Sequence, residues 1–582
     1  MAQTEPPEAP ETPRLEDLQH WTWVLGRAQQ MMLEQGMDAM AKTPAVPAAF
    51  PAMIDPAAAM AATANFWADT MTLWQRFLDP DHAKPFEETP EQARDKRFKA
   101  AAWREEPVFD FLRQSYFTIA DHMLKGIDAI EGVDDKQKEQ IRFATRGFID
   151  AVSPTNFPAT NPEVIDKVIE TKGESLLKGL QHMMADIQKG QMTQVDPDAF
   201  ELGRNLAMTP GKVVKRTELY ELIQYSPATE SVYKTPLVIF PPWINRYYIL
   251  DLTPEKSFIR WAVEQGLTVF VVSWKSADAS LKDVVMSDYV EQGQIDAIDS
   301  VREMLDVEAV HAIGYCVAGT TLAATLAVLT ARGQAEKVKS ATFFTAQVDF
   351  TEAGELLNFV TDDQLEMIRG LGTDGYLDGR FMATTFNLLR GRDLIWNYVT
   401  QNYLMGKDYA PFDLLHWNSD VTNLPAKWHI DYLTDLYRDN KLAQAGALSV
   451  NGTPIDLGVV ETPAYVQAGR EDHIAPAASV WKITHHFKGP LKFVLAGSGH
   501  IAGVVNPPSS GKYQYWTNDK KAGTLTEFVA GASETKGSWW PDWIQWIESV
   551  DAKKVPAKGA RVAGKGKSGA LGDAPGTYVR AR

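Results

Sequence analysis

The chain is short of the residues from which many sites are built. Cys316 is the single cysteine among 582 residues, which excludes an internal disulfide and any multi-cysteine zinc or iron–sulfur centre. Positive charge is also in deficit: 58 Lys and Arg against 75 Asp and Glu leave a formal net charge of −17. A protein that coats duplex nucleic acid shows the opposite balance, so no nucleic-acid partner is expected, although a local pocket for an anion stays open. No uninterrupted apolar run reaches the roughly 18 residues of a membrane span. The opening Met1–Arg14, MAQTEPPEAPETPR, is acidic and Pro-rich and has no apolar core of a secretion signal. No internal repeat is visible. These absences leave a reduced, cytoplasmic globular protein whose one thiol is either a buried small hydrophobe or a reagent.

What is present divides the chain. With 45% hydrophobic and 23% charged residues it has an ordinary globular composition, and its length suits two to four units at roughly 150 residues each. Residues 1–14 read as disordered. From 15 to about 204 the apolar residues recur three and four apart, as in helices. Within that part, residues 37–60 are broken by proline, as in Pro44-Ala-Val-Pro-Ala-Ala-Phe-Pro51, and read as a loop or soft surface segment. From about 205 to 550 short β-branched runs alternate with helical stretches: Pro236–Phe240, Thr268–Ser273, Val310–Ile313, Ala341–Thr345, Ala464–Gln467 and Leu491–Leu495. Runs without polar alternation belong to a mostly parallel sheet covered on both faces by crossover helices, an α/β class. The interval from about 347 to 444 is too long for one crossover and carries helical signals such as 380–405, so a helical cap insertion is expected there. Residues 551–582, rich in Lys, Gly and Ala, read as a flexible tail that ends in the knot Ala574-Pro-Gly-Thr-Tyr-Val579.

Cys316 lies in His311-Ala-Ile-Gly-Tyr-Cys-Val-Ala-Gly-Thr320, after an apolar strand and before a helical run. That is a nucleophile-elbow pattern with Cys in place of Ser. A sharp strand-to-helix turn needs small residues two before and two after the nucleophile, and its first helical N–H groups aim at a developing oxyanion. Gly314 meets the first need; Ala318 stands where the pattern has Gly, with Gly319 next. An elbow enzyme then needs an acid and a histidine, in that order, beyond later strands. Asp472 follows the run ending at Gly469, and His500 follows the run ending in Gly497-Ser-Gly. Both positions lie where open α/β sheets place their sites. Cys316, Asp472 and His500 are therefore the candidate catalytic residues. His473 is a lesser rival, His416 and His429 read as structural, and His485 and His486 as solvated. No histidine has the spacing of a metal site, and neither metal nor cofactor is expected. The backbone N–H of Val317 is one candidate oxyanion donor. The second comes from Trp243–Asn245, after Pro241-Pro242, with Ile244 preferred; Asn245 and Tyr247 of the same loop are candidates for substrate contact.

Taken with further motifs, the sequence strongly resembles the class I polyhydroxyalkanoate synthases of the α/β-hydrolase superfamily. The likeness runs through Pro210-Gly-Lys-Val-Val214, Leu222-Ile-Gln-Tyr-Ser-Pro227, Pro241-Pro-Trp-Ile-Asn245 and Gly314-Tyr-Cys-Val-Ala-Gly-Thr320. It continues through 412–425, Gly497-Ser-Gly-His-Ile-Ala-Gly503, Gly537-Ser-Trp-Trp-Pro-Asp-Trp543 and the terminal knot. The family box usually reads G-x-C-x-G-G, so Ala318 is the visible departure. The resemblance implies a transferase that polymerises (R)-3-hydroxyacyl-CoA, short-chain and so 3-hydroxybutyryl-CoA, with release of CoA. It implies that Cys316 carries the chain as a thioester, His500 takes the thiol proton and Asp472 orients His500. It also implies a homodimer through the cap, a polymer-granule surface with granule-associated proteins as partners, and a cytoplasmic, granule-bound location. Arg246, Arg392 and Lys407 are the cations considered for the CoA phosphates. The alternatives are a hydrolase of the same fold, acting as depolymerase or thioesterase, and an inactive granule scaffold.

Overall fold

A computed structural model describes residues 56–79, 85–128, 130 and 132–581. The disordered segment expected at 1–14 and the loop expected at 37–55 lie outside them. Residues 56–60, read as part of that loop, instead open helix α1 (Pro56–Leu78), where proline fits the first turn because its missing N–H has no intrahelical partner anyway.

The chain packs as two units. The described residues up to Gln194 join Arg390–Ala410, and Val195–Leu389 joins the chain from Pro411 onward. The first unit is helical: α2 (Pro107–Asp128), α3 (Asp135–Ala151), α4 (Pro162–Glu170) and α5 (Glu174–Lys189). Its small core gathers Phe98, Trp103, Tyr116, Phe117 and Ile149. Residues 390–410, read from sequence as cap, pack on α5. Gly179 lies so close to the Tyr403 carbonyl that no Cβ fits, and Asp186 accepts from the Tyr403 hydroxyl at 2.6 Å.

The second unit is built on an 11-stranded sheet. Its strands are β1 (Gly211–Arg216), β2 (Tyr220–Tyr225), β4 (Leu237–Phe240), β5 (Val269–Trp274), β6 (Val310–Tyr315), β7 (Val338–Phe344), β8 (Ala464–Gly469), β9 (Leu491–Ala496), β10 (Gln514–Thr517), β11 (Ser533–Lys536) and β13 (Gly572–Asp573). Two short strands, β3 (Ser231–Tyr233) and β12 (Lys554–Pro556), pair with each other outside it. The order is β11-β10-β9-β8-β7-β6-β4-β5-β2-β1-β13. The six strands β5, β4, β6, β7, β8 and β9 are parallel, and antiparallel strands flank them. These six are the runs expected from sequence, and the parallel α/β class is as expected. Every residue of β4, β5, β6 and β8 is buried, which explains the missing polar alternation. After α6 (Phe258–Glu264) and α7 (Asp296–Leu305), helix α8 (Val317–Ala331) is buried on every side from Val317 to Leu329, because helices and sheet surround it. The chain leaves β4 toward one edge of the sheet and returns through β6 toward the other. The crevice where that order reverses lies beyond the ends of β4 and β6.

The tail expected to be flexible is ordered as far as residue 581. β12 and β13 pair with β3 and β1, and Val579 is buried. The reason is charge burial. The carboxylate of Glu221, with no exposed surface, accepts from the Thr577 and Tyr578 amides and the Thr577 hydroxyl at 2.7–3.0 Å. Arg216 pairs with the same carboxylate at 2.6 Å, and the tail donors satisfy its remaining acceptor capacity.

Candidate active site

Cys316 sits between β6 and α8 with φ +52° and ψ −127°, a backbone conformation costly for a residue with a Cβ. Its surroundings hold it there. Its N–H donates to the Phe344 carbonyl at 2.9 Å, and its carbonyl accepts from the Gly319 and Thr320 amides at 2.8 and 3.1 Å. The close approach that makes the turn possible is between Gly314 and Gly319. A Cβ on Gly314 would lie 2.5 Å from the Gly319 Cα, and one on Gly319 would collide with the Ala346 methyl group. Gly319, not residue 318, therefore supplies the second small position. That is why alanine is tolerated at 318, where Gln294 fixes the Ala318 carbonyl at 2.8 Å. Gly314→Ala and Gly319→Ala are each expected to cost about 3 kcal/mol or more in urea unfolding, and Ala318→Gly about 1 kcal/mol. Equal costs at the three positions would contradict this account of the turn.

The acid and the histidine meet beyond β8 and β9. His500 Nδ1 lies 2.8 Å from Asp472 Oδ2, and both side chains are buried. Asp472 Oδ1 accepts from the Ile474 and Ala475 amides at 2.8 Å each, so the carboxylate cannot turn away from the ring. Gly469 lets the two loops touch, since a Cβ there would lie 2.8 Å from the Ser498 carbonyl. The His500 loop is clamped from beneath. The indoles of Trp539 and Trp540 donate to the Gly503 and Val504 carbonyls at 2.7 and 2.9 Å, and the Tyr315 hydroxyl donates to the His500 carbonyl at 3.0 Å. Burial alone would push the His500 imidazole down. The Asp472 carboxylate and Cys316 outweigh it, through charge and hydrogen bonding, and hold the ring at a pKa of about 10. The three residues singled out by order in the chain thus converge: Asp472 bonds His500, and His500 faces Cys316. His473 takes none of the bonds made by Asp472.

Val317 opens α8, so its amide has no acceptor one turn back and points from the helix start beside Cys316. Across the crevice, Ile244 and Cys316 line one cavity of about 340 Å³. The remaining expectations for this loop change. The Asn245 amide donates to Thr422 Oγ1 at 2.9 Å, and its side chain reaches the Asn418 carbonyl, so Asn245 is held as a turn residue with φ +68°. Tyr247 is turned into the core, its hydroxyl on the Pro575 carbonyl at 3.3 Å, away from the cavity lining. Arg246 is no phosphate ligand. Its guanidinium is buried against Asp420 at 2.7 Å and donates to the Tyr578, Val421 and Ala581 carbonyls. In the helical unit, Arg392 pairs with Asp150 at 2.6 Å and Lys407 with Gln401 at 2.6 Å. His429, read as structural, lines the cavity together with Tyr432 and Tyr437. Most of the rest of the wall is apolar and comes from the segment after β7, chiefly helices α9 (Asp362–Leu371) and α10 (Gly379–Leu389), with Gln364, Thr384 and Thr385 as its polar members. Met367, Phe381 and Leu388 are exposed at its outer side. Among the described residues no helix is long and apolar enough to cross a membrane, and no group of three or more His, Cys, Asp or Glu could hold a metal ion.

The sequence is similar to those of known proteins over most of its length. Residues 94–262 match the family model described as the poly-beta-hydroxybutyrate polymerase (PhaC) N-terminus, and residues 255–507 match the alpha/beta hydrolase fold. A poly(3-hydroxyalkanoate) polymerase subunit PhaC of Rhizobium meliloti is 44% identical over 534 residues, covering 91% of this chain and 86% of that one. A poly(3-hydroxyalkanoate) polymerase of Methylorubrum extorquens is 44% identical over 89% of this chain and 85% of its own. The PhaC subunit of Cupriavidus necator is 42% identical, covering 89% and 87%.

Proposed function

This chain belongs to the poly(3-hydroxyalkanoate) polymerases, and on that premise we propose that it builds polyester from (R)-3-hydroxyacyl-CoA through a thioester on Cys316. The observation that carries the reading is the Cys316–His500–Asp472 convergence, with Cys316 opening on a mostly apolar cavity. The Cys316 thiol passes its proton to His500, and Sγ attacks the thioester carbonyl of the substrate. The oxyanion of the tetrahedral intermediate is met by the amides of Val317 and Ile244. The C–S bond to CoA breaks, the CoA sulfur takes the proton from His500, and the acyl group stays on Cys316. The 3-hydroxyl of a second hydroxyacyl-CoA then gives its proton to His500 and attacks the Cys316 thioester. The new ester forms and Sγ leaves. The lengthened chain, now on CoA, reacylates Cys316 and frees CoA, so each cycle consumes one unit and releases one CoA.

Thioester-to-thioester exchange is nearly balanced and a thiolate leaves readily, which suits cysteine better than serine for reloading. The apolar wall favours transfer to a hydroxyl over water, because it excludes solvent and accepts a chain without free donors. The substrate we favour is 3-hydroxybutyryl-CoA. Dimerisation through the cap and residence on polymer granules in the cytoplasm belong to the same reading and rest on the family resemblance. The experiment supplies purified enzyme with (R)-3-hydroxybutyryl-CoA and follows CoA and product together. CoA release matched by polymer is expected. CoA matched by free hydroxy acid would make the protein a hydrolase, and no CoA release would leave only a scaffold.

A further inference from the structure

The cavity over Cys316 has few polar groups, and most of them are spent. Gln364 uses its carbonyl oxygen on the Thr361 amide, and the Thr384 and Thr385 hydroxyls donate to the Arg380 and Phe381 carbonyls one turn back. His429 is different. It lies in the helix Ala426–Asp431, buried, with its ring against the cavity, and neither ring nitrogen has a hydrogen-bond partner among the described residues. Burial alone lowers its pKa to about 4, so the ring is neutral and carries one N–H donor and one acceptor nitrogen. The ring nitrogens open onto a mostly apolar cavity that gives them little to bond, and leucine or phenylalanine would fill such a wall without a polar group to satisfy. Tyr432 lies one helical turn on, its ring centroid 6.4 Å from that of His429, and close enough to Cys316 for the thiol to act on its phenol. The imidazole and Cys316 therefore open on the same cavity.

We propose that His429 recognises the oxygen at the 3-position of the acyl chain held on Cys316. Its N–H donates to that oxygen, and its free nitrogen accepts from the 3-hydroxyl when the hydroxyl is unesterified. This rests on the reading that the cavity takes the acyl chain. The Tyr432 and Tyr437 phenols of the wall bond each other and most of the remaining lining is apolar, so the imidazole separates a 3-oxygenated chain from a plain one. A site built to pair with a substrate hydroxyl rejects the analogue that lacks it, since its own polar atoms then stay unpaired.

The test measures the rapid phase of CoA release from the full-length enzyme with (R)-3-hydroxybutyryl-CoA and with butyryl-CoA, which loads Cys316 but lacks the 3-oxygen. Wild-type enzyme is expected to load the hydroxy substrate about tenfold faster at limiting concentration. His429→Leu should bring that ratio near one by slowing the hydroxy substrate alone, and His429→Gln, which keeps a donor and an acceptor, should restore much of it. Equal loss on both substrates in His429→Leu would overturn the proposal. So would a wild-type enzyme that does not distinguish them, a result that needs no variant to fold. Release from neither substrate by the wild type would instead sink the acyl-transfer reading on which this one rests.

Discussion

Replacing Cys316 with alanine is expected to take both CoA release and polymer formation to the assay floor, a fall on the order of 10⁵-fold or more, while the fold survives. Both halves of that expectation come from the turn. The strained backbone at Cys316 is held by main-chain bonds to Phe344, Gly319 and Thr320 and by the contact of Gly314 with Gly319, none of which uses the thiol. Alanine keeps every one of them, so the urea midpoint should move little. The chemistry has no substitute. With Sγ gone, no other nucleophile stands between the Val317 amide and His500. Serine at 316 is the finer probe. It keeps the shape, but its hydroxyl is a far weaker acid than a thiol and its ester reloads poorly from CoA. Cys316→Ser should therefore accept at most one acyl group and stall. A variant with near-normal turnover in either case would show that the thiol is filler.

Asp472→Asn should lower CoA release by about 10³- to 10⁴-fold with little change in fold. The carboxylate spends Oδ1 on the Ile474 and Ala475 amides and Oδ2 on His500 Nδ1. In the asparagine variant the two amides still demand the oxygen, so the NH₂ group faces the ring. Nδ1 must then accept, the proton moves to Nε2, and His500 presents the wrong tautomer to Cys316. The charge effect acts in the same direction. Burial lowers the His500 pKa, and the Asp472 charge is the first-ranked influence raising it to about 10. The sign for stability follows. Because the folded pKa lies above the ordinary 6.5, the protonated ring stabilises the folded state fully below pH about 6.5, and that contribution is lost as pH rises toward 10. In wild type the His500 ring, followed by NMR, should therefore stay protonated through neutral pH and titrate near 10. In Asp472→Asn, without that charge, the titration of the ring should move to lower pH. An unchanged His500 titration would show that the carboxylate does not set the charge state of the ring.

Much of this was legible in the residues. The six β-branched runs are the six parallel strands because strands buried on both faces leave no polar alternation to obscure them. Cys316, Asp472 and His500 were legible because each follows a strand end, where chain order alone implies convergence. Other features depend on contacts between segments far apart in sequence. The tail looked solvated by composition, yet its amides and carbonyls satisfy Glu221 and Arg246, more than 300 residues away. For the same reason Arg246 looked like a phosphate ligand and Tyr247 like a substrate contact: nothing local reveals Asp420 or the Pro575 carbonyl as their partners. Residues 390–410 read as cap because their helical signal is the same wherever they dock. His429 passed as a structural histidine, and only the cavity surface shows that its ring lacks a partner. One signal was within reach. Gly319, next to Ala318, already offered the small residue that the turn needed.

The most direct test of the central claim is mass analysis of the peptide that carries Cys316, taken after brief exposure of the enzyme to (R)-3-hydroxybutyryl-CoA and quenching in acid. The account predicts that this peptide gains one or more hydroxybutyryl units, that hydroxylamine removes them as it does a thioester, and that Cys316→Ala carries none. Acyl units on a different residue, or polymer made by Cys316→Ala, would contradict it.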